Sequence, residues 1–130
     1  MNRAEAVNHA EQWIRDWCAR DIEAIVSHYA DGARFVSPVA AVRTGNAVVV
    51  GRDALLKYWS GARAYTTFEF TLERVMWDEP NNEMVIVYTR NVDGKRERAC
   101  EFFRFDDAGR VIAGEAMYGS ALQVGPTPDP

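Results

Sequence analysis

The stretch EFFRFDDAG, residues 101–109, places one carboxylate inside an aromatic strand and follows that strand with a turn sequence. A second apolar run begins after the turn and closes the last predicted hairpin of the chain. A carboxylate that points into an apolar interior is costly to keep ionised, so it is expected to be neutral, paired or functional. Glu101 is therefore the residue on which the functional interpretation depends.

Two more turn sequences organise the chain around this stretch. Asn81-Asn82 and Asp93-Gly94 each separate apolar runs, and both pairs favour tight turns between antiparallel strands. The strands predicted on this basis are Met84–Val92, Arg96–Phe105 and Val111–Leu122. Together they form an antiparallel meander.

The strand before this meander is predicted to bend. Residues 68–72 alternate apolar and polar side chains, whereas Val75 and Trp77 fall on the opposite parity. A bulge near Glu73-Arg74 explains that change of parity and would curl the sheet.

Helical patterns dominate the N-terminal part of the chain. Asn2 and Glu5 form a capping-box pattern, and apolar residues then recur at three- and four-residue steps, which predicts a helix from Arg3 to Ala19. Asp21 is expected to cap a second, short helix that stops at Asp31-Gly32.

The segment that follows contains one short strand and a third helix. Ala33–Ser37 is predicted to be extended, and Pro38–Gly51 to be a long loop with an apolar tail at Val48–Val50. The third helix opens at Gly51-Arg52-Asp53 and is expected to end before Tyr65.

This order of elements predicts an α+β fold. Three N-terminal helices precede about four long antiparallel strands, with one or two short strands besides, and the helices would cover one face of a curved sheet. A chain of 130 residues with 48% hydrophobic residues fits one core. We expect a single domain over residues 1–122 and a frayed tail over residues 123–130.

The second face of the sheet carries more apolar side chains than a solvated face requires. One interpretation is a homodimer packed through this outer face, and the other is a set of residues selected for strand propensity alone. The residues concerned are Val85, Val87, Cys100, Phe102, Val111 and Met117.

Composition excludes several classes of function. The net charge of −4 argues against nucleic-acid binding, which requires clustered cations. Cys18 and Cys100 form no Cys-x-x-Cys motif, and His9 and His28 are expected to be surface or half-buried residues, so no metal site is predicted. No apolar run is long enough for a membrane span, and a cytoplasmic location is expected.

Six motifs lie between the first helix and Gly119: Asp21-Ile22-Glu23-Ala24-Ile25-Val26, Tyr29-Ala30-Asp31-Gly32, Ser37-Pro38, Gly51-Arg52-Asp53-Ala54-Leu55, Glu101-Phe102-Phe103-Arg104-Phe105 and Ala116-Met117-Tyr118-Gly119. In this order they resemble the nuclear transport factor 2-like superfamily, and within it the ketosteroid isomerases and the SnoaL-like polyketide cyclase group. This scaffold hosts isomerases, cyclases, hydrolases and binding domains, so the resemblance by itself implies no single reaction.

The resemblance implies a cone-shaped sheet that encloses a deep apolar pocket for a small apolar or aromatic ligand, with no cofactor. Glu101, Arg90 and Ser37 would be its catalytic residues. The remaining pocket wall implied by the resemblance consists of Trp13, Trp17, Phe35, Trp59, Tyr88, Phe103, Ala116 and Tyr118.

The chain departs from the ketosteroid isomerase pattern at two positions. The resemblance places Ser37 where those enzymes have an aspartate base, and Trp13 where they have a tyrosine that donates to the substrate oxygen. An indole donates a hydrogen bond but is not a comparable acid. Only Glu101, at the position of the oxyanion-hole acid, keeps the chemistry, so steroid isomerisation by the usual route is not expected.

The charge of Glu101 has three interpretations at this point. Burial would keep the carboxyl protonated, so that it could donate to a carbonyl or enolate oxygen. Arg90 lies one strand away on the same predicted face and could instead hold Glu101 as a carboxylate that acts as a base. The two residues could also neutralise each other without any chemistry.

Two functions follow from these alternatives. The first is a cofactor-free isomerase, cyclase or lyase that acts on an apolar carbonyl compound through Glu101. The second is a non-catalytic ligand-binding or dimeric assembly domain with a vestigial pocket, which the serine at position 37 favours.

Overall fold

The computed structural model describes residues 1–121 and contains a six-stranded, curved and unclosed sheet with helices against one face. Its helices and strands are α1 (Arg3–Ala19), α2 (Ile22–Ser27), β1 (Tyr29–Val36), α3 (Pro38–Thr44), β2 (Val48–Val50), α4 (Arg52–Trp59), β3 (Phe68–Asp78), β4 (Glu83–Val92), β5 (Lys95–Phe105) and β6 (Val111–Ala121), with a 3₁₀ turn at Ser60–Ala64. The predicted α+β class and curved sheet are confirmed. Leu122 and the predicted tail, residues 123–130, lie outside the described residues.

The sheet order is β2-β1-β6-β5-β4-β3. β3 to β6 form the predicted antiparallel meander, with Asp93 and Gly94 both at positive φ in the β4–β5 turn. β1 pairs with β6 in parallel, and β2 pairs with β1 in antiparallel orientation. The predicted bulge is confirmed, because the β3–β4 register shifts between Leu72 and Arg74.

Helix α1 has the predicted bounds. The Asn2 side chain accepts from Glu5 N, the Glu5 side chain accepts from Asn2 N, and Arg20 ends the helix in the left-handed region. Its apolar face, which includes Trp13 and Trp17, is buried against the sheet. None of the described helices has the length and apolar character needed to cross a membrane.

The predicted stop of the second helix at Asp31-Gly32 is wrong. Helix α2 is capped by Asp21 as expected, but it ends at Ser27, and residues 31 and 32 lie within β1. The reason is tertiary pairing: Val111 N donates to His28 O at 2.9 Å and draws the chain into the sheet from Tyr29 onwards.

The loop predicted over Pro38–Gly51 is also wrong, because it contains α3 and β2. Ser37 caps α3, Pro38 occupies its first turn, and Gly45 ends it at φ 79°. A proline favours the first position of a helix, and a helix of seven residues is too short to display an apolar period. Residues 1–121 therefore contain four α-helices rather than the three predicted.

The outer face of the sheet carries five of the six apolar residues predicted there. Val87, Cys100 and Met117 form a row across β4, β5 and β6, and Met117 is 47% exposed. Val111 is a correction: it is fully buried in the core, because the β5–β6 register shifts between Arg104 and Phe105 and turns it inward.

His9 is half-buried on α1, and we predict that it makes stability depend on pH. Burial, and next the charge of His28, lower the pKa of the His9 imidazole from 6.5 to about 4, so protonation favours the unfolded chain. The contribution of neutral His9 to the free energy of unfolding should be fully present above pH 6.5 and should decrease as the pH drops toward 4. Both ring nitrogens are buried without a partner among the described residues, and the ring lies edge-on to Phe105.

The measurement is thermal unfolding between pH 7.5 and 4.5. His9→Phe should flatten the pH dependence, whereas His28→Asn, at an exposed position, should retain most of it. An equal slope in wild type and His9→Phe would contradict the prediction.

Candidate functional site

A cavity of about 270 Å³ lies between the inner face of the sheet and the helices. Nine of the residues implied by the family resemblance line it: Trp13, Trp17, Phe35, Ser37, Trp59, Tyr88, Arg90, Glu101 and Tyr118. These side chains come from α1, α4, four strands and the cap of α3, so the fold brings distant parts of the chain to one chamber.

Phe103 and Ala116 are corrections, because they lie in the core rather than on the cavity wall. Phe103 is fully buried, with its ring centroid 5.6 Å from Trp13 and 6.2 Å from Phe105. Ala116 is opposite Glu101 in the β5–β6 register and is 2% exposed. Strand parity predicted the correct face of the sheet for both residues. It does not show whether a residue on that face lies beside the cavity or in the packed core.

The remaining lining residues were missed by sequence reasoning. Phe68 and Phe70 could have been found from their alternation in β3, and Tyr58 from its place beside Trp59 in α4. No sequence pattern indicated that Arg43 lies in the cavity wall, because helix α3, which positions it, was itself not predicted. The full set of missed residues is Val39, Arg43, Tyr58, Ala62, Tyr65, Phe68, Phe70, Val92 and Lys95.

Glu101 faces inward from β5 and is 3% exposed. The Tyr88 hydroxyl donates to Glu101 Oε1 at 3.2 Å. Burial raises the pKa of the Glu101 carboxyl well above its usual range, while the Tyr88 hydrogen bond and the more distant charge of Arg90 oppose that shift. The arrangement favours a protonated carboxyl, which can donate a hydrogen bond to an oxygen in the cavity.

Arg90 does not pair with Glu101. Residue 90 is opposite residue 97 in the β4–β5 register, and its guanidinium donates to the Glu97 carboxylate. The guanidinium also lies 4.7 Å from the ring centroid of Tyr118. Glu101 is opposite Ile86, four residues before Arg90 on β4, so of the alternatives left open by the sequence the pair between Arg90 and Glu101 is not formed.

Ser37 lies in the cavity wall with its hydroxyl already engaged. The Ser37 Oγ accepts from Ala40 N at 3.4 Å as the cap of α3 and is 3.0 Å from the Tyr58 hydroxyl. An alcohol in this setting holds α3 and Tyr58 in place, and it has none of the basicity of a carboxylate.

Several neutral donors surround Glu101. Burial, and next the charge of Glu101, raise the pKa values of the Tyr88 and Tyr118 phenols, so both stay protonated. The Nε1 atom of Trp17 is buried and has no hydrogen-bond partner among the described residues, whereas the buried Trp13 indole interacts with the Tyr29 phenol.

No group of three or more His, Cys, Asp or Glu side chains within residues 1–121 is placed to hold a metal ion.

Comparison with known proteins extends the geometric description. A family model described as a SnoaL-like domain matches residues 10–113. A search of curated proteins found no match.

Solved structures match over most of the chain. A SnoaL-like protein of unknown function from Burkholderia thailandensis E264 is 29% identical, with a TM-score of 0.83 over 92% of this chain and 99% of that one. A putative ketosteroid isomerase from Kribbella flavida DSM 17836 is 16% identical, with a TM-score of 0.72 over 95% and 84% of the two chains. The epoxide hydrolase/cyclase-like enzyme SalBIII, which has a role in pyran ring formation in the polyether salinomycin, is 14% identical, with a TM-score of 0.71 over 91% and 93%. The two more distant similarities establish a shared fold.

Proposed function

The chain belongs to the SnoaL-like domain family, and we propose that it is a cofactor-free enzyme that polarises the carbonyl group of a small apolar ring compound through Glu101. The observation that carries this proposal is a carboxyl that is 3% exposed, reaches a cavity and bonds a phenol rather than a cation. The reaction class is isomerisation, cyclisation or elimination.

Glu101 is the acid in this proposal. A protonated carboxyl donates to the carbonyl oxygen and stabilises the negative charge that develops there as solvent water takes the proton beside the carbonyl and an enolate forms. The Tyr88 hydroxyl orients the carboxyl, and Arg90 is held by Glu97 so that it does not ionise Glu101. The residues that would position the ligand rings are Trp13, Trp17, Phe35, Trp59 and Tyr118.

The cavity size limits the ligand. A volume of about 270 Å³ lies just below the range of roughly 300–1,000 Å³ typical of drug-sized ligands. One- or two-ring ketones therefore fit the proposal better than four-ring steroids. This agrees with the absence of a carboxylate base at Ser37, which argues against steroid isomerisation by the usual route.

A non-catalytic binding domain is the second candidate. The Ser37 hydroxyl is committed to the α3 cap and to Tyr58, which supports a chamber that binds without supplying a base. The two candidates differ in turnover, since both bind a ketone.

The test uses 1-tetralone, a bicyclic ketone. Enolate formation exchanges the protons beside its carbonyl with deuterium in D₂O, and nuclear magnetic resonance follows that exchange without knowledge of the natural substrate. We expect saturable acceleration over buffer and a raised melting temperature. Binding without acceleration would favour the second candidate, and no binding of 1-tetralone or other small ketones would contradict both.

We also propose a homodimer through the outer face of the sheet, supported by the apolar row of Val87, Cys100 and Met117, in which Met117 is 47% exposed. Met117→Glu should convert a dimer into a monomer in light scattering. Val50→Glu, a matched change at an exposed valine on β2, should leave the dimer intact. A monomeric wild type, or a dimer that only Val50→Glu disrupts, would contradict this interface.

We further propose a cytoplasmic location. Cys18 and Cys100 are both free thiols, which supports this location.

A further inference from the structure

One arginine of the cavity wall bonds to no acidic residue within the described chain. Arg43, on α3, donates from Nη2 to the Tyr65 hydroxyl at 2.7 Å. Its Nη1 lies over Gly61, where an added Cβ would approach to 2.9 Å. Within residues 1–121, no carboxylate lies within salt-bridge distance of this guanidinium, whereas five other arginines each pair with one.

The charges that line the cavity contrast with those of the whole chain. The chain has a net charge of −4, yet the cavity wall contains three cations and one carboxyl: Arg43, Arg90, Lys95 and Glu101. Glu97 neutralises Arg90. Arg43 and Lys95, which are both exposed where they line the cavity, therefore give it a positive side, although the protein as a whole repels anions.

The Arg43 guanidinium is positioned so that it can bind a ligand. The Tyr65 phenol fixes one edge of the guanidinium, and the missing side chain at Gly61 leaves room for the plane of the group. A planar guanidinium with free N–H groups suits the two oxygens of a carboxylate better than it suits a neutral acceptor.

We propose that the ligand of this cavity is a keto acid, an apolar ring compound whose carboxylate binds Arg43 with help from Lys95 while its ketone faces Glu101. The inference rests on the proposed function for the ketone end, and it adds the anionic end, which excludes neutral polycyclic ketones as the preferred class.

Two size-matched probes test the anionic end: the 6-carboxylate of 1-tetralone and its methyl ester. Calorimetry should show the carboxylate binding wild type at least about tenfold more tightly than the ester, a difference of about 1.4 kcal/mol. Arg43→Gln should remove this preference and leave ester binding within about twofold. Arg63→Gln, at an exposed arginine paired with Glu23 outside the cavity wall, should preserve it.

Geometry is tested separately from charge. Gly61→Ala keeps Arg43 but displaces its flexible guanidinium, so it should weaken carboxylate binding several-fold without lowering the melting temperature. Equal affinities of wild type for carboxylate and ester, or an Arg43→Gln variant that keeps the preference, would overturn the proposal.

A third probe, 2-naphthoate, has the carboxylate without the ketone and separates the two ends. If it binds through Arg43 as tightly as the keto acid and wild type accelerates exchange of neither ketone, the anion site is upheld and the ketone role of Glu101 fails. If wild type accelerates exchange of both ketones and the carboxylate adds no affinity, the proposed function is upheld and the anion site fails.

Discussion

Glu101→Gln is expected to lower the enzymatic exchange rate of 1-tetralone by about 100-fold, because the amide N–H is a far weaker acid than a protonated carboxyl and stabilises the oxyanion less; complete removal of a donor typically costs about 100- to 1,000-fold. Glutamine keeps the size and polarity of the side chain, so the fold and the affinity for the ketone should change little. The loss should therefore appear in kcat rather than in KM.

A matched control exists on the other face of the sheet. Glu115 is opposite Phe102 in the β5–β6 register, on the outer side, so Glu115→Gln removes a carboxylate without touching the cavity. It should retain wild-type turnover. Equal turnover in Glu101→Gln and wild type would remove Glu101 from the mechanism.

The same residue sets the expected pH dependence of the reaction. A carboxyl with a raised pKa donates while it is protonated, so kcat should be constant at low pH and decline as the pH rises through that pKa. A rate that instead increased with pH through an acidic pKa would identify Glu101 as an ionised base.

Glu97→Gln is expected to destabilise the protein by about 3 kcal/mol or more, because it leaves the Arg90 guanidinium largely buried without its counter-charge. The side chains of Arg90 and Glu97 are 16% and 8% exposed. For a domain of this size the loss corresponds to a fall of about 10 °C in Tm.

Two variants isolate the cause. Glu83→Gln breaks an exposed pair with Arg104 and should cost less than about 1 kcal/mol. Replacing both Arg90 and Glu97 by methionine removes the buried charges together and should recover most of the loss. If Glu97→Gln and Glu83→Gln lower the free energy of unfolding by equal amounts, burial of the ion pair between Arg90 and Glu97 does not contribute to stability.

Local signals in the sequence were sufficient to predict the helices and strands whose ends are marked by capping or turn residues. Helix α1 has a capping box and a long apolar period, and the β4–β5 turn has Asp93-Gly94, so both were predicted with accurate limits. The bulge near Arg74 was visible as a change of parity.

Features that depend on distant residues were not visible locally. Strand β1 starts at Tyr29 because of its pairing with β6, and the partner of Arg90 depends on the β4–β5 register. Parity placed Phe103 on the inner face but could not show that α1 covers it. Arg43 became a candidate only once α3 was known.

The parallel pairing of β1 with β6 has a consequence for biosynthesis. Val36 is adjacent to Glu115, so β1 acquires its neighbour β6 only after the residues between these two strands have been translated. Until then β1 and β2 form an isolated two-stranded ribbon, which is marginally stable in water. We therefore expect the half of the sheet that contains Phe35 to assemble last. A ribosome that stalls before β6 would leave an incompletely folded, aggregation-prone intermediate that binds chaperones.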